Sequence, residues 1–403
     1  MNAWKEVLLT AVTTRIGDGL HGTPKYDSTG NYYFINGNNL VNGKIIIKQE
    51  TKKVNDIEFQ KHLKPLNEKT LLLGINGTIG NVAYYQQEKC ILGKSACYIN
   101  LNDEIDLRFA YYTLIGRDFQ KYIDGIATGT TIPNVPLKGL REYSFKLPSL
   151  PEQTVIASIL SSLDDKIDLL HRQNATLEAM AETLFRQWFV EEAKEEWVVS
   201  KLGDIAIVQN GYAFSPNDYL TNQPGSLEVF KMGHIRKGGG LRSNPKRDFV
   251  ERSARLKKWV LNKEDIVMAM TDMKDNVVIL GVPAIIDKND NYVLNQRVAR
   301  ICLKSADRLI NNYLLYVQLK DWDFISILQS KANSGVQVNL SSETIKDSDI
   351  IIPPMELQRK VGKAITECFQ KVEHNSVQIH TLTTLRDTLL PKLMSGEVRV
   401  GEN

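Results

Sequence analysis

The sequence predicts a mixed α and β fold in which two globular segments, here called head 1 and head 2, are each followed by one long helix. Three observations predict it. A coiled-coil repeat of apolar residues occurs twice, a charged stretch separates the two copies, and short strand patterns with turn residues precede each copy. The 403 residues, 42% hydrophobic and 24% charged, suffice for two domains.

The domain boundaries follow from where these patterns begin and end. We predict head 1 over 1–148, the first long helix over 149–190, a linker over 191–196, head 2 over 197–352, the second long helix over 353–395 and a tail over 396–403. Prolines stand at both helix entrances, as expected where a chain turns into a first helical turn.

Head 1 is rich in glycine and asparagine and has four candidate strands: Tyr32–Ile35, Lys44–Lys48, Leu71–Ile75 and Asn81–Tyr85. The segment Gly74–Gly80 lacks the spacing of a phosphate-binding loop and lies between strands rather than before a helix. We interpret it as a tight turn that can approach a ligand closely.

The two long helices carry the same apolar rhythm, 205 residues apart, when Gln153 is aligned with Gln358. Steps of four and three alternate over about four heptads, which is typical of a coiled-coil seam, and a polar residue interrupts each copy near its middle. The predicted seam positions are Ile156, Leu160, Leu163, Ile167, Leu170, Asn174, Leu177, Ala181, Leu184 and Trp188 in the first copy, and Val361, Ile365, Cys368, Val372, Asn375, Ile379, Leu382, Arg386, Leu389 and Leu393 in the second.

The repeat continues upstream, where Gly129–Val135 aligns with Ser334–Leu340. Lys69–Leu73 and Glu264–Met268 are expected to be corresponding strands, but the sequences around them differ. We therefore expect helices that resemble each other and heads that do not. A shared scaffold with two different heads indicates one task performed on two different targets.

Head 2 contains a basic segment, Arg236–Lys258, with nine lysines and arginines against two acidic residues. Three consecutive glycines and two aromatic residues interrupt it, as expected for a loop that lines a nucleic-acid groove, although an ordinary solvated face is the alternative. In head 1 the loop Asp18–Tyr26 combines polar, aromatic and basic residues, and its histidine is either structural or a contact residue.

Several classes of protein are not supported. No metalloprotease, nucleophile-elbow, amino-methyltransferase or dinucleotide-binding motif is present, and the four cysteines have no zinc-ligand spacing, so we expect reduced thiols. No apolar run approaches the ~20 residues of a membrane span, and we expect no signal peptide. A net charge of +3 permits nucleic-acid binding without demanding it. These observations favour a recognition protein.

The chain resembles the specificity subunits of type I restriction-modification systems over nearly its whole length. Pro148–Ala157 is similar to the family's helix entrance, Asp18–His21 with Gly77–Gly80 and Leu294–Arg300 are similar to its head motifs, and Leu389–Glu397 is similar to its C-terminal signature. The second helix departs from the pattern, since Glu-Leu-Gln replaces Pro-Glu-Gln and head 2 lacks the Gly-Thr-Ile-Gly turn.

The resemblance implies two target recognition domains, each reading one half of a split DNA sequence. It implies that the two helices pack as an antiparallel coiled coil with pseudo-twofold symmetry and act as a ruler about 58 Å long. It also implies two methyltransferase subunits and restriction subunits as partners in the cytoplasm, with S-adenosylmethionine, ATP and Mg²⁺ on those partners and no cofactor, metal or catalytic group on this chain.

On this reading, lysine and arginine would contact phosphates, and other polar side chains would contact base edges. The candidate DNA-binding residues are His21, Thr23, Lys25, Asn76, Thr78 and Thr130 in head 1, and Tyr212, Lys231, His234, Arg236, Lys237, Lys274 and Arg297 in head 2. Two other classes stay open: a coiled-coil adaptor without DNA binding, and a stand-alone DNA-modifying enzyme.

Overall fold

The computed structural model describes residues 4–129, 131–195, 197–273, 277–305, 309, 311–334 and 337–400. The chain forms two compact units, of which unit 1 comprises Met1–Leu169 with Ile379–Asn403 and unit 2 comprises Leu170–Gln378. Each unit thus contains one head and a part of each long helix. The predicted boundaries follow the order of elements along the chain, and they stay a prediction as domain limits.

Among its described residues, head 1 consists of short strands, four α-helices, two short 3-10 helices and connecting loops. The strands are β1 (Lys5–Leu8), β2 (Thr13–Asp18), β3 (Tyr32–Ile35), β4 (Leu40–Val41), β5 (Lys44–Ile45), β6 (Lys53–Val54), β7 (Thr70–Gly74), β8 (Val82–Tyr84), β9 (Cys90–Leu92), β10 (Ala96–Leu101) and β11 (Ser144–Leu147). The helices are α1 (Asp56–His62), α2 (Leu107–Ile115), α3 (Arg117–Ile126) and α4 (Leu137–Glu142). The predicted strand Lys44–Lys48 is shorter in the structure and ends at Ile45, although the next amide, of Ile46, still donates to the carbonyl of Asn39 across the hairpin.

The main sheet of head 1 is antiparallel, with strand order β2-β10-β7-β8. Every residue of β7 and β10 is buried, as expected for central strands covered on both faces. A second sheet has the order β6-β3-β9, in which β3 and β9 run parallel. Asp106 caps the start of helix α2, since its carboxylate accepts hydrogen bonds from the backbone amides of Arg108 and Phe109.

The first long helix, α5, spans Leu150–Arg186 and continues as a π-helical turn over Gln187–Glu191. The second long helix begins with α10 (Met355–Leu357) and a π-helical turn over Gln358–Gly362, and α11 (Lys363–Ser395) completes it. At 1.5 Å per residue, α5 is about 55 Å long.

The helices pack antiparallel inside unit 1. Ile156 and Leu160 near the start of α5 share a buried cluster with Leu393 near the end of α11. Further along α5, the carboxylate of Asp164 lies 2.8 Å from the guanidinium of Arg386. Later residues of α5 thus contact earlier residues of α11, which means that the two helices run in opposite directions.

Head 2 is also built from short strands and helices. Its strands are β12 (Val198–Lys201), β13 (Ala206–Asn210), β14 (Tyr219–Leu220), β15 (Leu227–Phe230), β16 (Phe249–Val250), β17 (Ile266–Ala269), β18 (Thr271–Met273), β19 (Pro283–Ile285), β20 (Tyr292–Leu294), β21 (Val298–Leu303), β22 (Asn333–Ser334), β23 (Gln337–Asn339) and β24 (Asp349–Ile352). Its helices are α6 (Leu202–Ile205), α7 (Asn312–Lys320), α8 (Trp322–Ser330) and α9 (Ser342–Lys346).

The expectation that the two heads do not resemble each other is wrong at the level of topology. The main sheet of head 2 has the order β13-β21-β17-β19, which repeats β2-β10-β7-β8 of head 1 strand for strand. Strands β15 and β20 run parallel, as β3 and β9 do. The predicted correspondence of the β7 and β17 segments is confirmed. The heads differ in side chains and loops, and these obscure the repeat in the sequence.

The helices also pack antiparallel inside unit 2. The side-chain amide of Asn375 donates to Asn174 over 2.8 Å, and the ammonium of Lys360 lies 5.6 Å from the ring centre of Trp188. Across both units, none of the predicted seam positions is exposed, and the two asparagines meet each other. No helix in the described part of the chain has the length and apolar character to cross a membrane.

Candidate nucleic-acid interface

The loops at one end of the main sheet of head 1 converge. Gly19 lies against the carbonyls of Leu92 and Gly93, where a β carbon would approach them to 2.4 and 2.3 Å. A β carbon on Gly37 would lie 3.0 Å from the carbonyl of Ser95 and 3.1 Å from that of Thr78. The loops after β2, β3 and β7 therefore meet the turn that enters β10, and glycine permits the close approach.

Three candidate contacts of head 1, His21, Thr23 and Lys25, are exposed on the loop after β2. The imidazole of His21 lies 2.5 Å from the carboxylate of Asp18. The backbone amide of Lys25 donates to the buried carboxylate of Glu58 over 3.0 Å, and this hydrogen bond is the main cause that lowers the pKa of Glu58. Glu58 thus holds the loop in place and leaves the lysine side chain in solvent.

The turn between β7 and β8 is braced by the segment that precedes α4. The amide of Asn76 donates to the side chain of Asn134 over 3.1 Å, and the backbone amide of Gly77 donates to Pro133 over 2.9 Å. Thr78 is exposed at the tip of this turn and remains available to a ligand. Thr130, the remaining candidate of head 1, lies outside the described residues.

Head 2 repeats this arrangement with different side chains. Gly211 corresponds to Gly19, since a β carbon there would lie 2.1 Å from the carbonyl of Asn295. The next residue, Tyr212, is half-buried and pairs with the turn that enters β21, and Arg297 is exposed on that turn. The ring of Tyr212 packs against Trp259 with the ring centres 5.0 Å apart.

His234 cannot act as a surface contact, because its side chain lies in the interior with only 3% of the residue exposed. Its Nδ1 lies 3.2 Å from the backbone amide of Lys231, and its Nε2 lies 3.0 Å from the carboxylate of Glu228. In head 1, the side chain of Asn39 accepts the backbone amide of Asn36 in the corresponding turn. We therefore remove His234 from the candidate contacts and assign it the capping of this turn.

The basic segment of head 2 is partly neutralised. The ammonium of Lys231, just before it, lies 2.7 Å from Asp248. Within it, four of the nine cations form ion pairs: Arg236 with Glu178, Arg247 with Glu228, Arg252 with Asp290 and Arg255 with Asp218. The ammonium of Lys237 is exposed and has no ion pair within the described ranges, whereas Lys274 lies outside them.

Sequence reasoning missed one position at each tip. Lys94 and Gln296 are exposed in the turns that enter the central strands β10 and β21, next to the glycine approaches described above. The signal that could have identified them is the shared pattern of a polar turn followed directly by a strand whose first two residues are buried.

The interface therefore combines exposed cations with hydroxyl and amide groups on convergent loops. Such groups bind phosphates and base edges in protein–DNA complexes. Among the described residues, no group of histidine, cysteine, aspartate and glutamate is arranged to hold a metal ion.

The family model of the type I restriction modification DNA specificity domain matches residues 14–179 and 194–383. The chain belongs to this family, whose domain it contains twice. The chain is 26% identical over 362 residues to the type I restriction enzyme MjaIX specificity subunit of Methanocaldococcus jannaschii, a match that covers 83% of this chain and 78% of that protein.

Two further similarities span almost the entire chain. The type I restriction enzyme HindI specificity subunit of Haemophilus influenzae is 23% identical over 466 residues, with 99% of this chain and 100% of that protein covered. The crystal structure of a type I restriction-modification S subunit from M. genitalium has a TM-score of 0.58 at 21% identity, and 98% of this chain and 96% of that chain are covered. The predicted fold class is thereby confirmed.

Proposed function

We propose that this chain is the DNA sequence-specificity subunit of a type I restriction-modification complex and that it reads a split target with its two heads. The observation that carries the proposal is the double match of the DNA specificity domain, which falls once on each head and its following helix. The repeated strand order supports it, because the same loop cluster then occurs at the end of each main sheet.

The division of labour follows from the exposed groups. Unpaired lysines and arginines at the loop ends would bind phosphates and give affinity that falls with salt. Hydroxyl, amide and guanidinium groups at the tips would select bases, at ~1–3 kcal/mol for each good bidentate contact. Arg297 and Lys237 in head 2, and Lys25, Lys94 and Thr78 in head 1, are the residues best placed for these roles.

We infer that the chain itself contributes no catalytic group. Two methyltransferase subunits would dock on the helices, bind S-adenosylmethionine and methylate one adenine in each half of the target. Restriction subunits that use ATP and Mg²⁺ would join the same assembly in the cytoplasm. The relatives support this proposal through their names, which describe them as specificity subunits of restriction enzymes.

The test is methylome sequencing of a host that expresses this chain together with the methyltransferase subunit encoded beside it. The comparison is a host that expresses the same methyltransferase subunit but lacks this chain. We expect a new methylated motif with two short specific halves around a fixed gap. If both proteins are present and associated but no new motif is methylated, the proposal fails. A chain that associates with partners but never binds DNA would then favour the coiled-coil adaptor.

A further inference from the structure

Arg236 of head 2 is bound to the first long helix. Its Nη2 lies 2.6 Å from Oε2 of Glu178 on α5, and its Nε donates to the carbonyl of Gly239 over 2.9 Å. Both residues belong to unit 2. The guanidinium therefore links the loop Gly238–Gly240 to the helix, although sequence reasoning had assigned Arg236 to DNA.

A second cation reaches the same carboxylate. The ammonium of Lys320, at the end of α7, lies 2.6 Å from Glu182 and 3.5 Å from Glu178, and only 6% of its side chain is exposed. Burial by itself favours the neutral amine, but Tyr316 and the two carboxylates outweigh it and raise the pKa of Lys320. The lysine is therefore charged near neutral pH.

The glycine loop closes over this lysine. Gly239 has a φ of +101°, and a β carbon there would lie 2.6 Å from Cε of Lys320. Gly239 thus serves a tight approach to a buried lysine, and the next glycine, Gly240, approaches the guanidinium of Arg236, where a β carbon would lie 3.2 Å from Nη2. Through Arg236 and Lys320, Glu178 on α5 thus contacts two parts of head 2, the glycine loop and the end of α7.

This arrangement has the properties of a rigid joint. Charge-assisted hydrogen bonds are shorter and stronger than neutral ones. The side chain of Glu178 is 20% exposed and that of Arg236 is 49% exposed, so solvent screens the carboxylate less than the guanidinium. Removal of Glu178 would leave Arg236 without its carboxylate partner, whereas removal of Arg236 would leave Glu178 with Lys320 at the longer distance of 3.5 Å.

We propose that Arg236, Glu178 and Lys320 form a strut that fixes head 2 on α5 and thereby sets the selectivity for the gap between the two halves of the DNA target. The inference rests on the proposed function, namely that the chain binds a split target. A head held firmly on its helix accepts one gap length, whereas one base pair more or less moves the second half-site by about 3.4 Å along the duplex.

The test uses the full chain assembled with its methyltransferase subunits. The substitutions Arg236→Gln and Glu178→Gln are compared with the matched control Lys237→Gln, whose exposed ammonium has no ion pair in the part of the chain that the structure describes. Affinity is measured at several salt concentrations for three duplexes that share both half-sites and have the preferred gap, one base pair fewer or one more.

Arg236→Gln removes a positive charge and Glu178→Gln removes a negative one, so the two variants together distinguish a strut from a phosphate contact. If the strut sets gap selectivity, both variants reduce discrimination between gaps by about tenfold, equivalent to ~1.4 kcal/mol, and keep the salt slope. If Arg236 binds a phosphate instead, Arg236→Gln lowers the salt slope by about 0.9 and weakens all three duplexes alike, whereas Glu178→Gln strengthens them. The second pattern overturns the strut, as does unchanged discrimination in both variants.

Thermal unfolding shows whether each variant is folded. If Arg236→Gln does not fold, Arg236→Lys keeps the charge but loses the contact from Nε to Gly239, so the strut again predicts reduced gap discrimination and a phosphate contact predicts none. Lys237→Gln should change all three affinities equally. A wild-type complex that prefers no sequence and no gap would contradict the proposed function, whereas a selective wild type with selective variants contradicts the strut alone.

Discussion

In unit 2, the side-chain amide of Asn375 donates to the side-chain oxygen of Asn174 over 2.8 Å, which joins the polar interruptions of the two helical repeats. Asn375 is fully buried, and its own Oδ1 has no hydrogen-bond partner within the described residues. A polar pair in an apolar seam specifies the register of two helices and costs stability.

The substitution Asn375→Leu should therefore stabilise the helix pair by ~1 kcal/mol, because it removes a buried oxygen that lacks a partner. Asn174 is only half-buried and can hydrogen bond to water instead. The measurement is the midpoint of thermal unfolding, with Val377→Leu at an exposed position as the control. A lower midpoint for Asn375→Leu would show that the pair stabilises the seam.

Asp164 connects both helices to head 1 within unit 1. One carboxylate oxygen lies 2.8 Å from Nη1 of Arg386, and the other accepts the hydroxyl of Tyr112 over 2.6 Å. Burial, and then this hydrogen bond, raises the pKa of Tyr112. Arg386, which breaks the apolar repeat, thus has a defined partner.

We expect Asp164→Ala to destabilise the chain by ~2–3 kcal/mol, since it leaves the hydroxyl of the buried Tyr112 without an acceptor and leaves Arg386 with Asp387 as its carboxylate partner. Tyr112→Phe should cost only ~1 kcal/mol, because it removes one hydrogen bond and keeps the packing. Denaturant unfolding checks the order of the two, and Asp165→Ala at an exposed neighbouring position provides the baseline. Equal losses for all three variants would contradict the connection.

Gln153 and Gln358 anchor the two helix entrances in the same way. Each is 1% exposed, and each side chain donates to a proline carbonyl five residues earlier, over 3.0 Å to Pro148 and 2.7 Å to Pro353. Gln153 also accepts the backbone amide of Asp106, which caps α2.

Replacing Gln153 with leucine should cost ~2–4 kcal/mol, because the buried carbonyl of Pro148 and the partly buried amide of Asp106 would both lose this partner. Gln173→Leu, at an exposed position of the same helix, should cost less than ~0.5 kcal/mol. Chemical denaturation of the two variants gives the comparison. A loss of less than ~1 kcal/mol for Gln153→Leu would show that water replaces the glutamine.

The helical scaffold could be predicted from the sequence because its signals are periodic. A seam repeated over four heptads, with its polar interruption at Asn174 and Asn375, constrains many positions at once. The heads gave weaker signals, since strands of two to six residues joined by unequal loops carry little pattern. Their shared topology becomes visible in the strand order of the structure, in which Gly19 and Gly211 approach the corresponding turns that enter β10 and β21.

The prediction of DNA contacts was wrong for side chains that can either bind DNA or pair with a carboxylate inside the protein. His234 and Arg236 have side chains suited to DNA, but their partners, Glu228 and Glu178, are brought to them only by the fold. Glu178 lies 58 residues before Arg236 in the chain, so no local pattern could reveal the pair. The exposed candidates Lys25, Thr78 and Arg297 have no such competitor among the described residues and stay predictions.

The capping role of His234 predicts a specific exchange. His234→Asn should retain the turn, because Asn39 performs the same task in head 1, and it should leave the salt slope of DNA binding unchanged. His234→Ala should destabilise the chain by ~1–3 kcal/mol, since the amide of Lys231 loses its acceptor and Glu228 loses the closer of its two partners and keeps Arg247. Thermal unfolding and DNA titration of both variants test this role. A lower salt slope with unchanged stability would return His234 to the contact residues.

Substitutions of the exposed loop residues of one head should change selectivity in only one half of the methylated motif. Arg297 lies on the turn that enters β21 of head 2, and Lys94 lies on the corresponding turn of head 1. If each head reads its own half of the target, Arg297→Ala should relax or abolish selectivity in one half of the methylated motif, and Lys94→Ala should affect only the other half. Methylome sequencing of hosts carrying each variant measures both halves in one experiment.

The size of the effect distinguishes two kinds of contact. A base contact should cost ~1–3 kcal/mol at the preferred sequence and reduce discrimination at one position. A phosphate contact should weaken binding to all sequences and lower the salt slope by about 0.9. Changes in the same half of the motif for both variants would contradict the assignment of one head to each half. The exposed Lys363→Ala variant on α11 should leave both halves unchanged, because that position lies outside both heads.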